Sequence, residues 1–167
     1  FQDGVKNGSM LIFDSALRYE GTSKLYAPIE YPAVAHHEVV QACIEAGKKC
    51  KFEYFVGATR TADTFYAMHP QPGSSFNNFW QSNWKEFFAD MKRLMEASII
   101  FVLSKIWGLR AGAIAVTLDN MFECSSEDEF DPETALDKSD DNETNLARMG
   151  SEALYLLWEK DKKRGNI

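Results

Sequence analysis

Two carboxylates bracket a short stretch of the chain whose residue pattern predicts a helix followed by a strand. Glu96 lies at the start of the helical pattern, and Asp119 follows the strand pattern. A carboxylate among apolar neighbours needs hydrogen-bond donors, and the hydroxyls of a sugar diol are suitable donors for Glu96. Ligands of open α/β sheets bind outside the carboxyl ends of strands, which is where we expect Asp119. The two acids are therefore the first candidates for a site.

Both acids also have a purely structural explanation. A glutamate in the first turn of a helix is favoured by the helix dipole, which accounts for most residues of this kind. An aspartate after a strand commonly binds the backbone of its own turn. The apolar neighbours of Glu96 favour a functional role for it more than the spacing alone does for Asp119.

The elements that must position these acids follow from the pattern of residues 94–120. Apolar residues recur at helical spacing from Met95 to Ile106, which predicts a helix with one face in the core. Gly108 fits the residue of positive φ that follows a helix, and Lys105 lies near the negative end of the helix dipole. The apolar run Ala113–Leu118 predicts a strand buried on both faces.

The rest of the chain alternates in the same way between strand and helix patterns. We predict strands at 10–17 and 51–59, and helices at 33–48, closed by Gly47 and lysines, at 76–92, where the pattern is rich in aromatic residues, and at 145–163. This alternation predicts an α/β fold, a three-layer αβα sandwich with a mixed, mainly parallel central sheet. With 167 residues, the chain is expected to form a single domain, 1–167.

The negative charge of the chain is concentrated in one segment. Residues 123–143 contain ten acids and one lysine, a net charge of −9, while the whole chain carries −7, so the remainder carries +2. This composition predicts an acidic, solvated inserted loop. It lacks the spacing of a calcium-binding loop, and no metal site is expected. The absence of a basic stripe argues against nucleic-acid binding.

The apolar runs and the cysteines of the sequence indicate the cellular compartment of the protein. No apolar run is long enough to span a bilayer, and no pattern of a signal peptide is present, so no membrane partner is expected. The three cysteines, Cys43, Cys50 and Cys124, have no CxxC spacing. Reduced thiols in a cytoplasmic protein are therefore expected.

Three stretches together resemble the nucleoside phosphorylase family, and its uridine phosphorylases in particular. They are SALRYEGTSKLYAPIEYPAVAHHEVVQA, VGATRTADTFY and LMEAS followed by GLRAGAI. The resemblance covers residues 8–120 and implies the three-layer nucleoside phosphorylase fold. It also implies a homodimer or a higher homo-oligomer.

The resemblance assigns roles to individual residues. Met95 and Glu96 match the family's pair that packs on the ribose and binds its hydroxyls. Phe65 matches the aromatic residue that stacks on the nucleobase, with Thr64 beside it in the same loop. In ungapped register, His69 and Gln71 occupy the positions of the family's Gln and Arg that bind the uracil edge.

The chain also departs from the family pattern. Leu94 stands where the family has an acid. Asp119 stands where uridine phosphorylases carry an apolar residue, whereas purine enzymes carry an aspartate there that contacts purine N7. The family's phosphate loop and phosphate-binding arginines precede the position of Phe1. We therefore expect residues 1–167 to be either the C-terminal part of a longer enzyme or a truncated homologue of the family.

The implied activity is that of a uridine phosphorylase, which converts uridine and phosphate to uracil and ribose 1-phosphate. Inorganic phosphate is then a co-substrate, and no other cofactor is expected. Two alternatives remain open. One is a purine nucleoside phosphorylase or purine nucleosidase that uses Asp119 as the acid, and the other is a non-catalytic relative of the family.

Overall fold

A computed structural model describes residues 5–63, 92–93, 95–117 and 132–165 of the chain. The elements along these segments are β1 (Met10–Tyr19), a short 3-10 helix (Ser23–Leu25), β2 (Ala33–Val34), α1 (His37–Cys50), β3 (Tyr54–Ala62), β4 (Lys92–Arg93), α2 (Ala97–Ile106), β5 (Ala113–Val116) and α3 (Pro132–Arg164).

Strand β1 lies at the centre of a five-stranded mixed sheet. It pairs in parallel with β3 along its whole length, and β3 pairs in parallel with the short β4. Two strands pair antiparallel with β1 on its other side, β5 with its N-terminal half and β2 with its C-terminal half. The predicted mixed α/β sheet is therefore confirmed.

A β-bulge in β1 decides which side chains face which layer. Phe13 pairs with Gly57 and Ser15 with Ala58, so Asp14 is an extra residue in the strand. An inserted residue moves the following side chains to the opposite face of a strand. Ala16 consequently joins the same apolar cluster as Phe13, although the two residues are three positions apart.

Helices cover both faces of this sheet. On one face, Phe101 and Val102 of α2 pack with Leu11 and Phe13 of β1 in one buried cluster. On the other face, α1 and α3 contribute to a second cluster with residues of β1 that alternate with the first set: Met10, Ile12, Ala42, Cys43, Ala46, Met149, Ala153 and Leu157. The three layers predicted from the sequence are thus present.

Helix α1 begins later than its apolar pattern predicts. The pattern covers 33–48, but Ala33–Val34 form β2, and the helix starts at His37. Both residues of β2 pair with β1, an interaction that helical periodicity does not reveal. His36 ends the extended segment as the N-cap residue, and its Nδ1 accepts a hydrogen bond from the amide of Glu38 at 3.3 Å.

Gly47 has a different role from the predicted helix end. The helix continues to Cys50, and Lys51 takes the left-handed conformation with φ of 60°. A Cβ at Gly47 would lie 2.8 Å from the ring of Tyr54. Glycine therefore serves the close approach of α1 to β3.

The predictions for residues 95–118 are confirmed in part. Gly108 follows α2 with φ of 67°, as expected for the residue after a helix end. The strand is also present as β5, but its four residues are only partly buried. The expectation of full burial on both faces was wrong, because within the described residues β5 pairs with β1 alone.

The acidic segment differs from the predicted loop at 123–143. Helix α3 starts at Pro132, so residues 132–143 are helical, and 123–131 lie outside the described residues. Proline is favoured at the first position of a helix. Most of the predicted aromatic helix, 76–92, also lies outside the described residues, and its last residue, Lys92, belongs to β4.

Ion pairs join α1 to α3 and to the segment before β5. Glu38 of α1 accepts hydrogen bonds from Arg164 of α3 and, at 2.9 Å, from Arg110. Arg110 in turn binds Asp161 of α3 through both terminal nitrogens. The hydrogen bonds from Arg164 and Arg110 lower the pKa of Glu38 from 4.5 to about 2.

None of the helices in the described segments is long and apolar enough to cross a membrane.

The variant Glu38→Gln tests this charge network. Because the pKa of Glu38 is lowered in the folded state, its contribution to stability is present above pH 4.5 and is lost as the pH falls towards 2. We expect a lower Tm than wild type at pH 7, and a difference that shrinks towards pH 2 and in high salt. Thermal unfolding followed by circular dichroism measures both.

The matched control is Glu45→Gln on the same helix, which removes a single exposed ion pair with Lys160. We expect it to change Tm less than Glu38→Gln does, since isolated surface pairs contribute little. A loss of Tm by Glu38→Gln that is the same at every pH would contradict the assignment.

Candidate functional site

Met95 and Glu96 lie immediately before α2, at its N-terminal end. Glu96 is the N-cap residue of the helix, and its carbonyl accepts the amide of Ile100 at 3.3 Å. Both side chains are exposed, Met95 to 43%. The Glu96 side chain makes no capping hydrogen bond, so its carboxylate is available to a ligand.

The first turn of α2 is instead bound by the neighbouring strand. The amide of Ser98 donates to Oγ1 of Thr61, the penultimate residue of β3, at 2.9 Å. Both residues are fully buried. A side-chain oxygen that accepts from an amide in the first turn is the usual N-cap interaction, here supplied by another element.

Glu20 binds the same turn from the end of β1. Its carboxylate, in a residue that is only 3% exposed, accepts the hydroxyl of Ser98 at 2.8 Å. It also accepts the amide of Ser23 at 2.7 Å and the hydroxyl of Ser23. One buried carboxylate therefore connects β1, the short 3-10 helix and α2.

These hydrogen bonds keep Glu20 ionised. Burial raises the pKa of the carboxyl group, but the hydrogen bonds from Ser23 and Ser98 and the positive charge of Arg18 outweigh this effect, and the pKa lies below its ordinary value. Glu20 is therefore a carboxylate at neutral pH, with donors arranged around it.

Arg18 holds the connection that follows β1. Its Nε donates to the hydroxyl of Ser23 at 2.8 Å. Its terminal nitrogens donate to backbone carbonyls of the connection, those of Ala27, Pro28, Ile29 and Tyr31. A buried guanidinium needs several acceptors, and these carbonyls supply them. The irregular chain between β1 and β2 is fixed in this way.

The carboxyl ends of β1 and β3 meet beside the start of α2. Asp63, which follows β3, accepts the amide of Gly21, which follows β1, at 2.9 Å. Ser98 binds residues from both strand ends, and Glu96 precedes it by two positions. The candidate site therefore lies at the carboxyl edge of a parallel strand pair, where α/β proteins bind ligands.

The structure places two of the predicted site residues, Met95 and Glu96, at this edge. The others lie outside the described residues, and their roles stay predictions: Thr64, Phe65, His69, Gln71 and Asp119. In the segments that the structure describes, no three His, Cys, Asp or Glu side chains form a group that could hold a metal ion.

Sequence reasoning missed Glu20, Thr61 and Ser98. Polar residues directly after the apolar part of β1 were the available signal for Glu20, because polar groups at a strand end often face a site. No comparable signal marks Thr61 or Ser98, since threonine and serine are common in strands and first helical turns.

Glu20→Gln tests the buried carboxylate. Hydrogen bonds to a charged group contribute about 1.5–3 kcal/mol each, so we expect a loss of roughly that size in the free energy of unfolding at pH 7. The pKa of Glu20 is lowered on folding, so its contribution is present above pH 4.5 and falls as the pH drops through the folded-state pKa. Urea unfolding at several pH values measures this loss.

Glu30→Gln is the matched control, because Glu30 is exposed on the same connection. We expect it to change the free energy of unfolding by less than about 0.5 kcal/mol. Equal effects of the two variants at pH 7 would show that the Glu20 contacts do not stabilise the fold.

Comparison with known proteins agrees with this architecture. The uridine phosphorylase of Thermococcus kodakarensis is 34% identical over 98% of this chain and 57% of its own length. The uridine phosphorylase of Treponema pallidum is 28% identical over 98% of the chain and 61% of its own length. The guanosine phosphorylase of Halorubrum lacusprofundi is 29% identical over 93% of the chain and 61% of its own length.

The chain thus spans 57–61% of the length of these curated relatives. The sequence profile of the phosphorylase superfamily matches residues 1–154, nearly the whole chain. The predicted resemblance to nucleoside phosphorylases is therefore confirmed, and the chain belongs to the phosphorylase superfamily.

Proposed function

We propose that this chain is the part of a uridine phosphorylase that binds the ribose and the base. The observation that carries the proposal is the exposed Glu96 carboxylate, which lies at the carboxyl edge of β1 and β3 without a capping hydrogen bond. A ribose has two adjacent hydroxyls that can donate to one carboxylate. Similarity to two uridine phosphorylases over 98% of the chain supports this choice of substrate.

The proposed reaction is the phosphorolysis of uridine. A phosphate oxygen forms a bond to C1′, the bond from C1′ to N1 of uracil breaks, and its electron pair leaves with the base, which then takes up a proton. The transition state resembles an oxocarbenium ion, as in glycoside cleavage. Hydrogen bonds from the diol to Glu96 strengthen as the sugar becomes positive, which stabilises the transition state more than the bound substrate.

Met95 is proposed to cover the sugar. Its exposed side chain is adjacent to Glu96 in the chain and is apolar, so it can exclude water from the ribose. Exclusion of water favours attack by phosphate over hydrolysis. Phe65 is proposed to stack on uracil, with Thr64, His69 and Gln71 as further contacts of the base.

The remaining proposals concern the whole protein. Inorganic phosphate is the co-substrate, and the reaction as written uses neither a metal ion nor an organic cofactor. A cytoplasmic homodimer or higher homo-oligomer is proposed. Large apolar side chains on the surface support an oligomer, such as Trp107 with 63% of its area exposed and Leu154 with 69%.

A purine substrate is the second candidate. Its support is the likeness to a guanosine phosphorylase, at 29% identity. In this alternative, Asp119 is protonated and donates a hydrogen bond to purine N7, which requires that its surroundings raise its pKa. A purine nucleosidase would use the same acid with water in place of phosphate. A non-catalytic relative of the family is the third candidate.

Side-by-side turnover of uridine, inosine and guanosine by the full-length protein, with and without phosphate, tests the proposal. We expect phosphate-dependent release of uracil with little hypoxanthine or guanine. Glu96→Gln should lower kcat/KM for uridine by about 100-fold, the loss expected for hydrogen bonds to a charged group. Release of base without phosphate would indicate a nucleosidase, and no release would favour the non-catalytic relative.

Asp119→Ala separates the pyrimidine from the purine assignment. We expect uridine turnover to change less than about threefold, since no step of uridine cleavage as proposed uses this carboxyl group. A purine enzyme would lose most of its turnover of inosine and guanosine, because its leaving base would lack the donor at N7. Steady-state kinetics with each substrate distinguishes the two outcomes.

A further inference from the structure

At the start of α2, the side chain that accepts the Ser98 amide is not that of the N-cap residue. The first amides of a helix have no partner within the helix, and the N-cap side chain commonly accepts from the second or third of them. In α2 the N-cap residue is Glu96, and Ser98 is the second helical residue. The amide of Ser98 is therefore one of the two donors, with that of Ile99, that a capping Glu96 carboxylate could bind.

Thr61 occupies that donor instead. Its Oγ1 accepts the Ser98 amide at 2.9 Å, and both residues are fully buried. The Glu96 side chain makes no capping hydrogen bond and is exposed. The acceptor for the Ser98 amide is thus a hydroxyl of β3, and the Glu96 carboxylate beside it does not serve as that acceptor.

We propose that Thr61 is a positioning residue for Glu96. By capping α2 from β3, Thr61 leaves the Glu96 carboxylate free to accept the ribose hydroxyls. The inference rests on the proposed function of Glu96 as the ribose ligand. Thr61 itself does not touch the substrate, since its side chain is fully buried against the first turn of α2.

A second hydrogen bond fixes the same turn. The hydroxyl of Ser98 donates to the buried carboxylate of Glu20 at 2.8 Å, so the turn is bound to the ends of both β1 and β3. Glu20 is also engaged with the amide and the hydroxyl of Ser23. Groups held by neighbouring hydrogen bonds present a side chain in a defined direction, which favours binding without prior rearrangement.

When the Thr61 hydroxyl is removed, capping of α2 competes with ribose binding for the Glu96 carboxylate. The buried Ser98 amide then lacks its acceptor, and the Glu96 carboxylate at the N-cap position, which the helix dipole favours, can turn to supply one. Ribose binding must break this new bond, whose strength is that of a typical cap. We therefore expect Thr61→Val to lower kcat/KM for uridine about fivefold.

A comparison of uridine with 2′-deoxyuridine provides the selective readout. A carboxylate diverted to the Ser98 amide no longer distinguishes the 2′-hydroxyl, so Thr61→Val should reduce the preference for uridine. Thr61→Ser keeps the oxygen and should restore the preference. Ser104→Ala is the matched control on α2, because its hydroxyl binds the carbonyl of Phe101 at 3.0 Å, away from the Ser98 turn.

A double-mutant cycle on Tm tests the capping step without any activity. In the wild-type background, Glu96→Ala should lower Tm only by the small contribution that a carboxylate makes through the helix dipole, because Glu96 supplies no cap. In the Thr61→Val background, the same change should lower Tm by about 2–4 °C, because Glu96 has become the cap. All variants are made in the full-length protein.

The outcomes separate this inference from the proposed function. Additive Tm effects and an unchanged preference for uridine in Thr61→Val would overturn the role of Thr61. Absence of nucleoside turnover in the wild-type protein would overturn the proposed function, while the Tm cycle would still report on the cap. If Thr61→Val does not fold, Thr61→Ala replaces it in the same cycle, and equal Tm losses by Glu96→Ala in the two backgrounds would contradict the inference.

Discussion

The parallel pairing of β1 with β3 is the constraint on which the candidate site depends. Its register places Tyr19 opposite Ala62, so that the residues after the two strands, Glu20 and Asp63, meet at one edge of the sheet. Side chains alternate along a strand, and a slip of one residue would turn Thr61 away from α2. The bulge at Asp14 belongs to the same constraint, since it sets which face the second half of β1 presents to α2.

The buried polar groups at this edge cost desolvation free energy, but they specify the position of the first turn of α2. Removal of Arg18 and Glu20 from water is unfavourable, and it is offset because the Arg18 guanidinium and the Glu20 carboxylate each bind several defined partners. An apolar cluster could fill the same volume, but it would not specify the position of the first turn of α2 to within a hydrogen-bond length. The cluster beneath α2 supplies the bulk of the packing, and the polar network fixes the end of the helix.

The same arrangement explains how the exposed Glu96 carboxylate can lie at the N-terminus of α2 without making a capping hydrogen bond. Glu96 is held by its backbone as the N-cap of α2, while the hydrogen-bonding needs of that helix end are met from β1 and β3. Binding groups are most effective when their supports are rigid and their own polar atoms are not committed elsewhere. Curated relatives of the chain are named uridine phosphorylase and guanosine phosphorylase, and in the proposed function the Glu96 carboxylate binds a ribose diol at this edge.

The sequence by itself determined the elements whose signals are local. The apolar pattern of β1, the periodicity of α2 and the glycine after it depend on near neighbours in the chain, and all were predicted. The resemblance also assigns Glu96 its role as a ribose ligand, and that role stays a prediction. Only the tertiary structure decided that Ala33–Val34 form a strand, that Gly47 accommodates Tyr54, and that β5 is only partly buried. The contacts of Ser98 belong to this second group. They join residues 37 and 78 positions apart, and such partners are selected by strand register and helix packing, which no local pattern encodes.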